Sequence, residues 1–140
     1  MKILLRSLPL FGACFLALNL DAADNKKVDL SKLPPPADKK DVTFVKDIKP
    51  IFDKSCTRCH GAEKPKGDLR LDSVEAANKG SEHGKVIQAG KSADSKLVIA
   101  VAHAGHPDEF MPPPNNRANI QPLTKEQVAL IRAWIDQGAK

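Results

Sequence analysis

The run Cys56-Thr57-Arg58-Cys59-His60 puts two thiols three positions apart, with an imidazole directly after the second. Such a set serves one of three chemistries: a structural metal site, a dithiol–disulfide couple, or attachment of a haem. A zinc site needs four ligands, usually in two pairs, and the chain's remaining cysteine, Cys14, lies far off in an apolar N-terminal stretch. His103 and His106 could supply two nitrogens, which keeps zinc as the weaker reading. A redox CxxC belongs at a strand-to-helix junction of a βαβ unit, and no such pattern surrounds this one. Haem attachment uses every residue: Cys56 and Cys59 add to the two vinyl groups as thioethers, Thr57 and Arg58 are spacers, and His60 is the proximal iron ligand.

A haem iron so held has a sixth position to fill. Met111, in Phe110-Met111-Pro112-Pro113-Pro114, is the one thioether besides the initiator Met1, and its prolines would stiffen a loop across the distal face. Methionine is a soft ligand that suits haem iron and raises its potential, whereas the bland role for a lone methionine is core packing. His83 sits in a polar Ser81–Lys85 run and reads as solvated. His103 and His106 precede Met111 closely enough to compete with it for the iron, and exposure is the simpler reading for both.

The elements that must position these groups are mostly helical. Phe44, Ile48, Ile51 and Phe52 form the stripe of an amphipathic helix running into Cys56, with Pro50 either bending it or opening its second half. Leu69 and Leu71 suggest a short extended piece, followed by a brief helix from Ser73 capped by Asp72. Lys85–Gly90 reads as another extended piece. Leu97, Val98 and Val101 have helical spacing, entered through Ser92 or Asp94 and stopped by Gly105. Thr124 with Gln127 makes a capping box, Val128, Ile131, Trp134 and Ile135 one stripe, and Gly138 a C-terminal cap. No strand pattern is long enough for a sheet. Trp134 is expected to pack near Ile48 and Phe52.

Ahead of these elements, positive charge at Lys2 and Arg6, the apolar run Leu8–Leu20 and the small pair Ala22-Ala23 read as a secretory signal peptide over residues 1–23. The −3 position of that cleavage site is imperfect, so a retained membrane anchor is the rival. Arg6, Pro9 and Asn19 within the 18-residue stretch Ile3–Leu20 argue against it. Residues 24–41, charged and holding Pro34-Pro35-Pro36, read as a linker or extended arm, and residues 42–140 as one domain. The expected location is the periplasm or another exported compartment, with no membrane span once the signal is removed. A formal net charge of +5 without a dense Lys/Arg block gives no case for nucleic-acid binding. With only five Phe, one Trp and no Tyr in the chain, a single haem would also serve as a large flat core filler.

Asp47-Ile48-Lys49-Pro50-Ile51-Phe52, the CxxCH-Gly61 run, Lys66–Ser73, Ala89–Val98, Met111–Pro114 and Leu123–Ala139 occur in the order in which they resemble the planctomycete-type cytochrome c domain, a class I-like c-type cytochrome. The resemblance implies a mostly α, cytochrome c-like fold of three to five helices around one covalent haem c. It further implies His60 on the proximal side, Met111 on the distal side, and first and last helices crossing. The function it implies is an extracytoplasmic electron carrier rather than an enzyme. The alternative is a haem subunit, sensor or enzyme whose open distal iron binds peroxide or a gas. Lys49, Lys54, Arg58, Lys64 and Lys66 would offer redox partners a positive rim that fits an acidic docking surface.

Overall fold

A computed structural model describes residues 28–140, and the signal-peptide reading falls outside the described residues. Among the described residues five α-helices appear in chain order: α1 Lys49–Ser55, α2 Thr57–His60, α3 Val74–Lys79, α4 Lys96–Val101 and α5 Lys125–Asp136. Among the described residues there is no β-strand, only an isolated bridge between Ser81 and Gly84. The expected mostly α fold is therefore present. No helix among the described residues is long and apolar enough to cross a membrane.

Pro50 decides how the chain enters α1. Lacking an N–H, it makes no bond back to the Lys46 carbonyl, and the turn before it widens into a π-type segment, Phe44–Ile48, in which the Lys49 N–H reaches the Phe44 carbonyl. Pro50 then stands in the first turn of α1, where a missing donor costs nothing. Thr43 caps the segment, its hydroxyl accepting from the Lys46 N–H, while its own N–H donates to Asp47 Oδ2 at 2.9 Å.

α5 carries the stripe and the caps that its sequence announces. The Thr124–Gln127 capping box forms in both directions, and the apolar face buries Val128, Ile131, Trp134 and Ile135. Gly138, at φ +103°, closes the helix through its N–H to the Ile135 carbonyl, with Ala139 N–H to Trp134 O at 3.0 Å. Trp134 is wholly buried, with ring centroids of Phe44 at 5.7 Å and Phe52 at 6.2 Å, so the first helical segment and the last share one aromatic core. Its indole N–H donates to the Lys140 main-chain oxygen.

Three expected caps prove different. α3 is capped by Ser73, whose hydroxyl accepts from Ala76 N–H, because Asp72 is engaged by the Arg70 guanidinium at 2.6 Å. α4 begins after Ser95, the Ser92–Asp94 stretch forming a 3₁₀ turn before it. It also ends at Val101, four residues ahead of Gly105. His103 takes the left-handed position at φ +53°, with His103 N–H to Ala100 O and Ala104 N–H to Ile99 O, the same closure that Gly138 gives α5. Histidine there costs about 1 to 2 kcal/mol relative to glycine.

Buried polar groups join these helices. Ser92 donates through its main-chain N–H and its hydroxyl to the two oxygens of Asp136, at 2.8 and 2.9 Å, and accepts from Arg132 Nε at 3.0 Å. Ser95, wholly buried, accepts from Gln88 N–H and donates to the Lys91 carbonyl. The 85–90 stretch, expected to be extended, joins no strand and is fastened by these bonds, by Leu97 N–H to Val86 O, and by Gly90 N–H to Ile135 O. The proline-rich stretch lies on the same helices: Ala37 N–H donates to Ala129 O at 2.9 Å, Gln137 Nε2 to Lys39 O at 2.7 Å, and Arg132 Nη1 to Pro34 O.

Candidate functional site

Cys56 is the kink between α1 and α2. Its N–H still bonds to Phe52 O at 2.7 Å, while its carbonyl receives the N–H groups of Cys59 at 3.0 Å and His60 at 2.9 Å, so one carbonyl organises the whole motif. The thiols are not joined: both cysteines are free, Cys56 buried and Cys59 partly exposed. Burial, with a smaller contribution from the neighbouring Cys59, pushes the Cys56 thiol up to about 12.

The extended piece 69–71 clasps His60 from two sides. Leu69 offers its carbonyl to the ring Nδ1 at 3.3 Å, and Leu71 N–H donates to the His60 carbonyl at 2.8 Å. A carbonyl only accepts, so Nδ1 carries the hydrogen and the Nε2 lone pair is left available. Burial also lowers the ring's pKa, outweighing the backbone hydrogen bonds that favour the charged form, and so holds the imidazole neutral. A neutral ring with one nitrogen fixed by a carbonyl is what a metal-ligating histidine requires. Gly61 follows because nothing larger fits: a Cβ there would lie 2.4 Å from the Thr57 carbonyl oxygen.

Met111 is partly buried and packs against the apolar cluster that contains Cys56. Its N–H donates to Ala100 O at 3.1 Å, tying it to the last turn of α4, and the Met111–Pro112 peptide is cis. The histidines that compete with it differ. His83 is exposed and lies 3.6 Å from Glu82, and His106 is exposed and accepts from the Asp108 N–H. His103, against expectation, is turned inward: its ring stacks on Phe110 with centroids 4.4 Å apart and planes 1° from parallel, and its buried Nε2 has no protein partner. Of the expected basic rim, Lys54, Arg58, Lys64 and Lys66 are exposed, whereas Lys49 is paired with Asp53 at 2.7 Å.

Among the described residues no three His, Cys, Asp or Glu side chains converge as a metal cluster, so Cys56, Cys59 and His60 lack the partners that a zinc site would need. Cavity size does not mark the site. A groove of about 570 Å³ lies between residues 31–35, the end of α4 and the start of α5, and neither thiol, His60 nor Met111 lines it.

Residues 56–115 match the Planctomycete cytochrome C family. The match supports a planctomycete-type cytochrome c domain over those residues. A domain of that family suggests a haem-binding cytochrome, and the cofactor the family implies is haem c. The match begins at Cys56 and ends beyond Pro114, so the resemblances at Asp47–Phe52 and Leu123–Ala139 lie outside it. Comparison with curated proteins and with solved structures finds no match. The donor set fits the group: free paired thiols, a neutral imidazole with an available Nε2, a thioether on the same core and an unpartnered buried nitrogen at His103.

Sequence reasoning missed three contributors. The Leu69 carbonyl and Leu71 N–H are backbone groups, visible in sequence only as the Leu-x-Leu spacing. His103 carried a signal in its type but none for its inward orientation, which depends on Phe110.

Proposed function

We propose that the protein is an extracytoplasmic mono-haem electron carrier, with Cys56 and Cys59 as thioether anchors, His60 as proximal ligand and Met111 as distal ligand. The observation that carries this reading is the His60 ring, held neutral with Nδ1 bonded to Leu69 O and Nε2 left for a metal. Haem bound there supplies a one-electron ferric–ferrous couple. The chain's own residues do the rest: His60 and Met111 would hold the group, Leu71, Phe52 and Trp134 keep water from the core beneath, and both ligand residues sit on fixed backbone hydrogen bonds. With His60 and Met111 both holding the group, no position would remain for a substrate, and the domain would serve as a carrier rather than a catalyst. The exposed charges of Lys54, Arg58, Lys64 and Lys66 surround the thiols in sequence and suit a redox partner with an acidic docking surface. Export follows from the signal-like N-terminus and from the compartment in which c-type haem is attached.

The deciding experiment is spectroscopic. The ferrous protein should be six-coordinate and low-spin and should not take up carbon monoxide, whereas a high-spin ferrous form that binds it supports the open-iron sensor or enzyme. A second distal donor has one observation in its favour, the unpartnered Nε2 of His103. Loss of the sulfur-to-ferric-iron charge-transfer band in Met111→Ala, and its survival in His103→Ala, decides for the thioether.

A further inference from the structure

Lys32 touches both ends of the loop that delivers Met111. Its Nζ donates to the His103 carbonyl at 3.1 Å and lies 5.8 Å from the centroid of the Phe110 ring. Beside it, the Asp29 N–H donates to the Ala104 carbonyl at 2.7 Å. Between these ends the loop is exposed from His106 to Glu109 and turns through a 3₁₀ segment, Pro107–Glu109, closed by Glu109 N–H to His106 O and Phe110 N–H to Pro107 O, while the stack of His103 on Phe110 joins its two ends. The backbone at His103 is also left-handed, a conformation that a residue with a Cβ seldom adopts unless neighbours enforce it.

We infer that the N-terminal arm, through Lys32 and the backbone of Asp29, is a positioning element for the distal ligand, clamping the 103–110 loop so that Met111 is held in place. The inference rests on the reading of Met111 as that ligand. A loop with exposed hydrogen bonds and few apolar contacts opens locally at small free-energy cost, and each contact made only in the closed form lowers the open fraction. An external ligand reaches the iron only through the open fraction. The arm therefore controls ligand exchange without touching the iron, and Lys32 is a positioning residue.

The test uses the ferric holoprotein, imidazole as probe, and Lys32→Met and Lys32→Arg. Lys32→Met keeps the apolar stem and removes the donor. It should bind imidazole about threefold to tenfold more tightly, the factor carried by one exposed charge-assisted hydrogen bond. Amide hydrogen exchange should quicken over residues 103–111 and stay unchanged over 56–60. Lys32→Arg should restore the wild-type affinity. Wild-type imidazole affinity and wild-type exchange in Lys32→Met overturn the arm's role while leaving the ligand reading intact. Met111→Ala separates the two ideas: if it keeps the charge-transfer band, the ligand reading and the clamp that rests on it both fail.

Discussion

The segment from Cys56 to Leu71 and the segment from His103 to Met111 present their donor atoms by opposite means. In the first, one carbonyl, that of Cys56, gathers Cys59 and His60, and the nearby Leu69–Leu71 strip fixes the ring, so every needed contact lies within a short stretch of chain. In the second, Met111 is tied to Ala100, its neighbour Phe110 to His103, and the loop as a whole to an arm residue, Lys32, that lies 71 positions from His103 in sequence. Local contacts cost little loop-closure entropy and survive disturbance elsewhere, while a long-range clamp opens when any one of its anchors is lost. The proximal side should therefore be robust and the distal side adjustable.

Removing the thiols should break the comparison most completely. Cys56→Ser with Cys59→Ser should yield protein from which acid-acetone strips all haem, and no haem colour should survive denaturing electrophoresis. The wild type should keep its colour under both treatments. Haem that stays with the double variant would dispose of thioether anchoring. The next effect in size isolates the distal side. Met111→Ala should retain covalent haem, lose the sulfur-to-iron band, take up carbon monoxide when reduced, and show a potential lower by on the order of 0.1 V, a fraction of the span that axial ligands set. A potential equal to wild type would show that the thioether never reached the iron.

The same contrast explains what was legible in the sequence. The Thr124–Gln127 box, the α5 stripe and the place of Pro50 are local patterns in which residue type and spacing dictate conformation, and the structure repeats each of them. The misplaced features depend on competition between groups. Asp72 was a good cap by type, but Arg70 takes its carboxylate. Gly105 was the expected stop for α4, but the helix closes on His103, a residue poorly suited to φ +53° and stabilised there by Phe110 and by the arm. The proline-rich stretch has the composition of a linker, yet its free backbone groups find partners on α5 that no local pattern announces.

Trp134→Ala should strike both sides together, since the indole packs on Phe44 and Phe52 in the core beneath α1. Loss of a fully buried Trp should destabilise the fold by about 3 to 5 kcal/mol in denaturant titrations. Its haem attachment should survive while the melting of both segments shifts in step. A variant that loosened the 103–111 loop alone would show that the two sides do not share one core.

The smallest expected effect lies where the arm meets the proximal helix. Asp47 accepts from the Thr43 N–H and pairs with Lys39, and the Lys39 ammonium, followed by the Thr43 hydrogen bond, holds its carboxyl below the ordinary value of 3.8. A carboxyl with a depressed folded pKa stabilises the fold fully above its unfolded value, and that contribution is lost as the pH falls through the folded value. Asp47→Asn keeps an oxygen for the Thr43 N–H and removes only the charge. Between pH 6 and about pH 4 the variant should melt slightly below the wild type, and the gap should close below the ordinary carboxylate range. It should also narrow in high salt, because the pair is exposed. A gap that stays constant down to pH 2 would assign the effect to hydrogen-bond geometry. Because Asp47 is bonded to the arm at Lys39 and not at Lys32, the distal charge-transfer band should stay unchanged throughout, which separates the arm's tie to the proximal helix from its clamp on the distal loop.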